Sequence, residues 1–283
     1  MKPLIIDCFV FSEEIDILKI RLSEMYPVCD QIIIIESNKT QTRLDKPFNF
    51  EKNIKIFKPW IDKITYYKLE SYAVPTNDFC WAQEKYQRSC MLEGIRKYEK
   101  EKNITLEPTD YINFGDVDEI VNGELLNQTV KKAYNLISFN HIFGSYFLNY
   151  YAKRYWYGCV LTKWENIELN GFQYYREIKD RIFHVEDKNL PSWHFSSVGS
   201  PVFDFNWHKW KTRIEPKEKS FLVDENFDKW KGLFNKCIIE DKYFFHCDDP
   251  YKRDQSLKLD KLPIETLPLE VQKNLDKYQH LII

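Results

Sequence analysis

The chain has 283 residues, of which 30% are charged, 43% hydrophobic and 16% aromatic, with 41 basic residues against 43 acidic ones. That is too aromatic for a disordered chain and too charged for an integral membrane protein. The interspersed charges give no basic field for nucleic acid.

Length permits one α/β domain, and scarce Gly and Pro (8 and 12) argue against linkers. The reading is a single domain over 1–283, with a ligand-binding half at about 1–120 and a second half at about 121–283. The seven cysteines include no CxxC pair and read as buried thiols rather than a disulfide framework. No signal peptide or membrane anchor is visible in the opening residues, which reads as a soluble, cytoplasmic protein.

In chain order, Leu4 to Val10 reads as a buried strand. Ser12 is placed to cap a helix whose apolar face is Ile15, Leu18, Leu22 and Met25, and Pro27 stops it. Gln31 to Ile35 is a second strand, apolar nearly throughout, ending at Glu36. Two such strands around a helix are the pattern of parallel strands covered on both faces.

Ile54 to Phe57 and Ile64 to Leu69 read as further strands, and Asp78 to Lys102 as one long helix. Tyr111 to Phe114 is a short strand that runs into Gly115-Asp116-Val117-Asp118-Glu119. Asn122 caps another helix. Ile137 to Leu148 and Arg154 to Leu161 are aromatic-rich strands, and a strand lies within Ile182 to Ser197. Beyond Pro201 the chain reads as helical and polar.

Asp116-x-Asp118 is the sharpest chemical feature. Residues two apart on extended backbone share a side. Two carboxylates would then converge at the carboxyl end of a strand, where open α/β sheets bind ligands. Such a pair suits Mg²⁺ or Mn²⁺ and a diphosphate. The opposing reading is a solvated turn, since acid-x-acid recurs roughly six times by chance at this composition. His194, between Trp193 and Phe195, is either a satisfied core histidine or a ligand for metal or phosphate. Arg88 either clamps a diphosphate or makes a surface ion pair. The aromatics from Tyr146 to Tyr157 are core, with a few available to stack on sugar rings.

Several ordered stretches resemble the family 17 glycosyltransferases. They are Asp7-Cys8-Phe9 with Ile20-Arg21-Leu22; Glu36-Ser37-Asn38 with Thr40, Lys46-Pro47 and Phe50; Trp81 with Tyr86-Gln87-Arg88; Gly115 to Ile120; and Trp193-His194-Phe195-Ser196. The resemblance implies a GT-A type, Rossmann-like α/β fold with a mostly parallel central sheet. It implies UDP-N-acetylglucosamine as donor, a glycan acceptor and inversion, as in the bisecting β-1,4-N-acetylglucosaminyltransferases of N-glycans. It places Asp116 and Asp118 on Mn²⁺ or Mg²⁺ and the diphosphate, Glu36 near the nucleoside, and Arg88 and His194 around the diphosphate or metal. The general base is not readable; Glu119 ranks first, ahead of Glu186 and Asp187. A GT-A transferase with another nucleotide sugar, building a surface or capsule glycan, and a non-catalytic carbohydrate-binding protein are the alternatives.

Overall fold

The computed structural model describes residues 2–41, 43–70, 82–199 and 258–283, with 232, 235–236 and 238–240 between them. The chain opens β1 (Ile5–Phe11), α1 (Ile15–Met25), β2 (Gln31–Ser37), then a short α2 (Asn49–Lys52), a 3-10 turn and β3 (Ile64–Leu69). Next come α3 (Ala82–Ser89), α4 (Met91–Lys102), β4 (Tyr111–Asp116), β5 (Glu119–Ile120) and α5 (Gly123–Lys131). A long hairpin follows, β6 (Leu136–Ser145) and β7 (Tyr150–Lys163), and then α6 (Trp164–Ile178), β8 (His184–Val185) and β9 (Ser192–Ser196). The described chain ends with β10 (Leu259–Lys261), α7 (Leu269–Lys273) and α8 (Leu275–Tyr278).

The strands form one curled sheet in the order β3-β2-β1-β4-β7-β6-β9-β5, with β10 on β7 and β8 on β6. From β3 to β4 all pairs are parallel. Beyond β4 the sheet turns mixed: β4 with β7, β7 with β6, and β9 with β5 run antiparallel, while β6 and β9 run parallel. The expected mostly parallel sheet is therefore corrected to a mixed one. The reason is local: β6 and β7 are joined by a short turn, and a hairpin can only be antiparallel.

Alternate residues of β1 and β2 feed opposite cores. Ile5, Phe9, Ile32 and Ile34 pack with α1 and α5 through Leu18, Leu22, Leu125 and Leu126. Ile6, Cys8, Ile33 and Ile35 pack with α4 and α6 through Met91, Ile95, Trp164 and Phe172. Both faces are covered, which is why the strands carry no polar alternation. Each fully buried isoleucine contributes on the order of 1.5–3 kcal/mol. A third cluster joins Ile17 and Ile20 of α1 to Trp193, Phe195, Val271, Tyr278 and Leu281. There the last residues also pair backbone to backbone, from the N–H of Leu148 to the carbonyl of Leu281.

Several expectations are corrected. Ser12 does not cap α1; Glu14 stands at the N-cap and makes no side-chain cap bond. Ile54 to Phe57 is a run of turns rather than a strand. The expected long helix breaks at Cys90 into α3 and α4. The α6 helix was not read from the sequence. Trp164, Ile167, Phe172 and Tyr175 are its buried positions, and Gly171 interrupts their period at φ 74°, a conformation that favours glycine. Trp81, Cys80, Cys237, Cys247 and most of the chain beyond Pro201 lie outside the described residues.

Candidate functional site

The candidate site sits at the carboxyl end of β4, where the chain turns through Val117-Asp118 before β5. One buried side chain sets this turn. Arg21 of α1 is fully buried and grips both oxygens of Asp7 at 2.7 and 2.9 Å. Its remaining donors reach the carbonyls of Asp116 (2.8 Å) and Glu119 (2.6 Å). Asn113 donates to the same Asp7 at 2.8 Å. A planar fork held at one end by a carboxylate is pre-organised to bind two carbonyls at the other.

The turn parts the two aspartates. The extended backbone that would have paired them is absent at 117–118, so their carboxylates face different partners. Asp116 takes Arg88 in a bidentate bond, with Nη2 to Oδ2 at 2.9 Å and Nε to Oδ1 at 3.2 Å. It also takes Arg176 of α6 at 2.8 Å. Burial works to raise the pKa of the Asp116 carboxyl, but Arg176 and Arg88 outweigh it and hold the group below its usual range. Arg88 is further paired with Glu84 one turn earlier on α3.

Asp118 instead faces His194, with Oδ1 3.7 Å from Nε2. Strand pairing brings them together: Glu119 of β5 lies opposite His194 of β9, and the N–H of Phe195 donates to the Asp118 carbonyl at 2.8 Å. Both side chains are nearly buried. Burial drives the His194 imidazole well below its ordinary pKa, so it is neutral. Its Nδ1 is buried without a hydrogen-bond partner among the described residues.

Glu119 lies at the centre. It is fully buried, and Arg176 donates to both its oxygens at 2.6 and 2.8 Å. Trp156 Nε1–H donates to Oε1 at 2.8 Å, and the Asp116 N–H to Oε2 at 3.1 Å. Burial opposes its ionisation, yet Arg176 and then Lys179 hold it well below the usual carboxylate range. A base must present a free lone pair to its proton. Glu119 has no exposure and spends its oxygens on internal donors, so the geometry is that of an anchor. Glu186 and Asp187 are elsewhere engaged, with Asn140 and the backbone of Asn189.

Gly115 belongs to this packing. A Cβ there would lie 2.6 Å from Glu119 Oε2 and 2.8 Å from Cys159 Sγ, so only glycine lets the carboxylate close on the strand.

Trp156 stacks on His194, with centroids 4.4 Å apart at 19°, and the Lys179 ammonium lies 4.3 Å from its ring centre. Burial pushes the Lys179 amine down to about 8. Trp193 and Phe195, by contrast, are core residues of the third cluster, and Trp193 Nε1–H donates to the Thr266 carbonyl.

Glu36 stands apart from this group. It is fully buried and accepts from Tyr66 Oη at 2.8 Å, Lys46 Nζ at 2.9 Å, and the N–H groups of Asn49 (2.6 Å) and Phe50 (3.0 Å). Its four donors account for the spacing of Glu36, Lys46-Pro47 and Phe50: the carboxylate ties down the start of α2 and the loop before it. These bonds make Glu36 an internal anchor of this loop.

Among the described residues, no three His, Cys, Asp or Glu side chains are grouped to hold a metal ion. What the turn offers a divalent cation is the neighbouring pair Asp118 and His194, an oxygen and a neutral nitrogen. Mg²⁺ and Mn²⁺ commonly take few protein ligands and complete their shell from phosphates and water. In oxygen and nitrogen chemistry the pair suits such an ion, and beside it Asp116 bonds Arg88 and Arg176.

Arg176, Lys179, Trp156 and Arg21's carbonyl bonds are the parts of the site that sequence reasoning missed. Only the spacing of α6 could have pointed toward Arg176.

The profile of Glycosyltransferase family 17 matches residues 1–221. No curated protein matches the chain. Among solved structures, a glycosyltransferase involved in the glycosylation of the major capsid of PBCV-1 is similar at 13% identity and a TM-score of 0.30. That likeness covers 74% of this chain and 100% of that one; it is too slight to argue from.

Proposed function

The chain belongs to glycosyltransferase family 17, and on that premise we propose that it is an inverting, metal-dependent transferase of GT-A type. The donor in this reading is UDP-N-acetylglucosamine, and the acceptor is a glycan hydroxyl. The observation that carries it is the turn at the end of β4, where Arg88 and Arg176 converge on Asp116 while Asp118 faces His194.

Asp118 and His194 would hold the Mn²⁺ or Mg²⁺. Such an ion supplies charge neutralisation for a departing nucleoside diphosphate. The chain's own residues supply the rest. Arg88 and Arg176 bring two fixed cations to the mouth of the turn, and both are nearly buried, where electrostatic stabilisation is strongest. Arg21 holds the turn's carbonyls, and Glu119 holds Arg176, so the cations keep their positions before any ligand arrives. Trp156 fixes the plane of the His194 ring. Glu119 serves in this reading as an anchor and not as the base.

The test is a donor screen that reads UDP or GDP release with Mn²⁺, with and without glycan acceptors. Preference for UDP-N-acetylglucosamine is expected, and preference for another nucleotide sugar would overturn the donor. Calorimetry on Asp118→Ala tests the metal reading: UDP affinity in Mn²⁺ should collapse, and an unchanged affinity removes Asp118 from the site.

A further inference from the structure

Residues 51–63 combine exposed isoleucines with exposed lysines on one turn-rich stretch. Phe50 and Phe57 are buried to 1% and 0% exposure, and Trp60 packs on the same core, so the stretch is pinned at three points. Successive turn bonds, Ile54 to Glu51, Ile56 to Asn53, Phe57 to Ile54 and Trp60 to Phe57, stiffen the backbone between them. Held this way, it presents Ile54, Ile56 and Ile61 to solvent at 38%, 42% and 43% exposure. Lys52, Lys55 and Lys58 are exposed beside and between them. None of the three lysines is ion-paired among the described residues. Of the two carboxylates of the stretch, Glu51 is paired with Lys68, and Asp62 accepts from the Tyr26 hydroxyl and keeps its charge, so the lysines outnumber the unpaired acid.

We infer that this surface docks on an anionic lipid bilayer, with the isoleucines entering the headgroup boundary and the lysines meeting the lipid charge. Branched aliphatic tips among unpaired lysines are the chemistry of interfacial membrane binding. Three features favour a bilayer over a protein. Protein interfaces are enriched in aromatics, Met and Arg and depleted in Lys, whereas here Phe57 is buried, Trp60 is only partly exposed, and the exposed cations are lysines. A second copy across a two-fold axis would bring the same lysines against one another. And the chain as a whole is slightly acidic, at a formal net charge of -2, so a positive patch on it is a local property and not a reflection of bulk charge.

The test uses the full chain and vesicles of phosphatidylcholine with and without phosphatidylserine, read by co-sedimentation. Binding is expected on the phosphatidylserine vesicles, weaker on phosphatidylcholine alone and weakened by salt. Each lysine near an anionic surface is worth about fivefold. The triple variant Lys52→Gln, Lys55→Gln, Lys58→Gln should therefore bind on the order of 100-fold more weakly. The triple variant Ile54→Ser, Ile56→Ser, Ile61→Ser should lose binding while keeping its fold, since none of the three is a core residue. UDP affinity should be the same in both variants as in the parent chain, which separates this test from that of the transferase reading. Equal binding to both vesicle types, or undiminished binding by the lysine variant, overturns the inference. So does an isoleucine variant that changes sedimentation of the free protein in a chain that ignores vesicles, for the patch is then a contact between copies.

Discussion

Replacing Arg176 with Leu isolates the ion pair on which the site is built. The substitution strips Glu119 of two bonds, at 2.6 and 2.8 Å, Asp116 of one at 2.8 Å, and the Gly158 carbonyl of one at 3.1 Å. Glu119 has no exposure through which water could compensate. Breaking a buried pair from one side costs about 3–5 kcal/mol. The Trp156 and Asp116 N–H bonds remain, as does the Lys179 ammonium at 3.9 Å, which places the expected loss at the lower end, ~3 kcal/mol. For a chain of this size that is a fall in Tm of roughly 6–12 °C.

The loss also has a sign in pH. In the parent chain the Glu119 pKa lies below its unfolded value, so its stabilisation is present above the ordinary carboxylate range and is lost as pH falls through the folded value. In Arg176→Leu burial acts without its main counter-charge, and the folded pKa rises above the unfolded one. The deficit is then fully present at neutral pH and shrinks toward pH ~4, where the group protonates. Urea denaturation followed by circular dichroism at pH 7 and near pH 4 measures both effects. A deficit below ~1 kcal/mol at neutral pH, or one that grows with acid, refutes the reasoning.

Gly115→Ala should cost several kcal/mol, or displace Glu119, because its Cβ would meet Glu119 Oε2 and Cys159 Sγ; a parent-like Tm with parent-like UDP binding removes the close approach as its reason. Glu36→Gln should lower stability by about 1–3 kcal/mol through its donors at Lys46, Asn49, Phe50 and Tyr66, yet leave UDP affinity within a factor of about two; a selective loss of UDP affinity at unchanged stability restores the nucleoside role. Burial pushes His141 down to about 4, below its unfolded value. The unfolded chain therefore binds the extra proton, and stability should fall by roughly 3 kcal/mol between pH ~6.5 and ~4. Titrating His141→Phe by denaturation should flatten that slope, and an unchanged slope rules His141 out as its source.

Much of the first half of the fold was open to a reading of residues. β1, β2 and β4 are short, largely apolar runs buried on both faces, and a pattern without alternation has few other uses. Asn122 was legible as a cap because its side chain accepts the first free N–H groups of α5, from Glu124 and Leu125. Ile54 to Phe57 misled because a β-branched run signals strand propensity, whereas the burial of Phe57 alone, with isoleucines outside, is a turn solution that propensity cannot show. In the site, the stretch carrying Asp116, Asp118 and Glu119 could be found, and so could Arg88 and His194. Their division of labour could not. It depends on where the backbone bends after β4 and on two arginines brought from α1 and α6, at separations of 95 and 60 residues from Asp116.

The third cluster has a consequence for how the molecule comes to be. The inner face of α1, through Ile17 and Ile20, is closed by Val271, Tyr278 and Leu281, and the Leu269 N–H meets Glu24 across 245 residues of chain. During synthesis, then, part of the apolar face of α1 stays uncovered until the segment around Leu269 emerges, 245 residues after Glu24. Closing so long a loop is slow relative to local pairing, and the exposed face is sticky meanwhile. The same stitch makes Ile283, whose N–H and carbonyl both bond Asn149, part of this long-range closure, so a substitution of Asn149 that breaks those bonds acts on assembly as well as on stability.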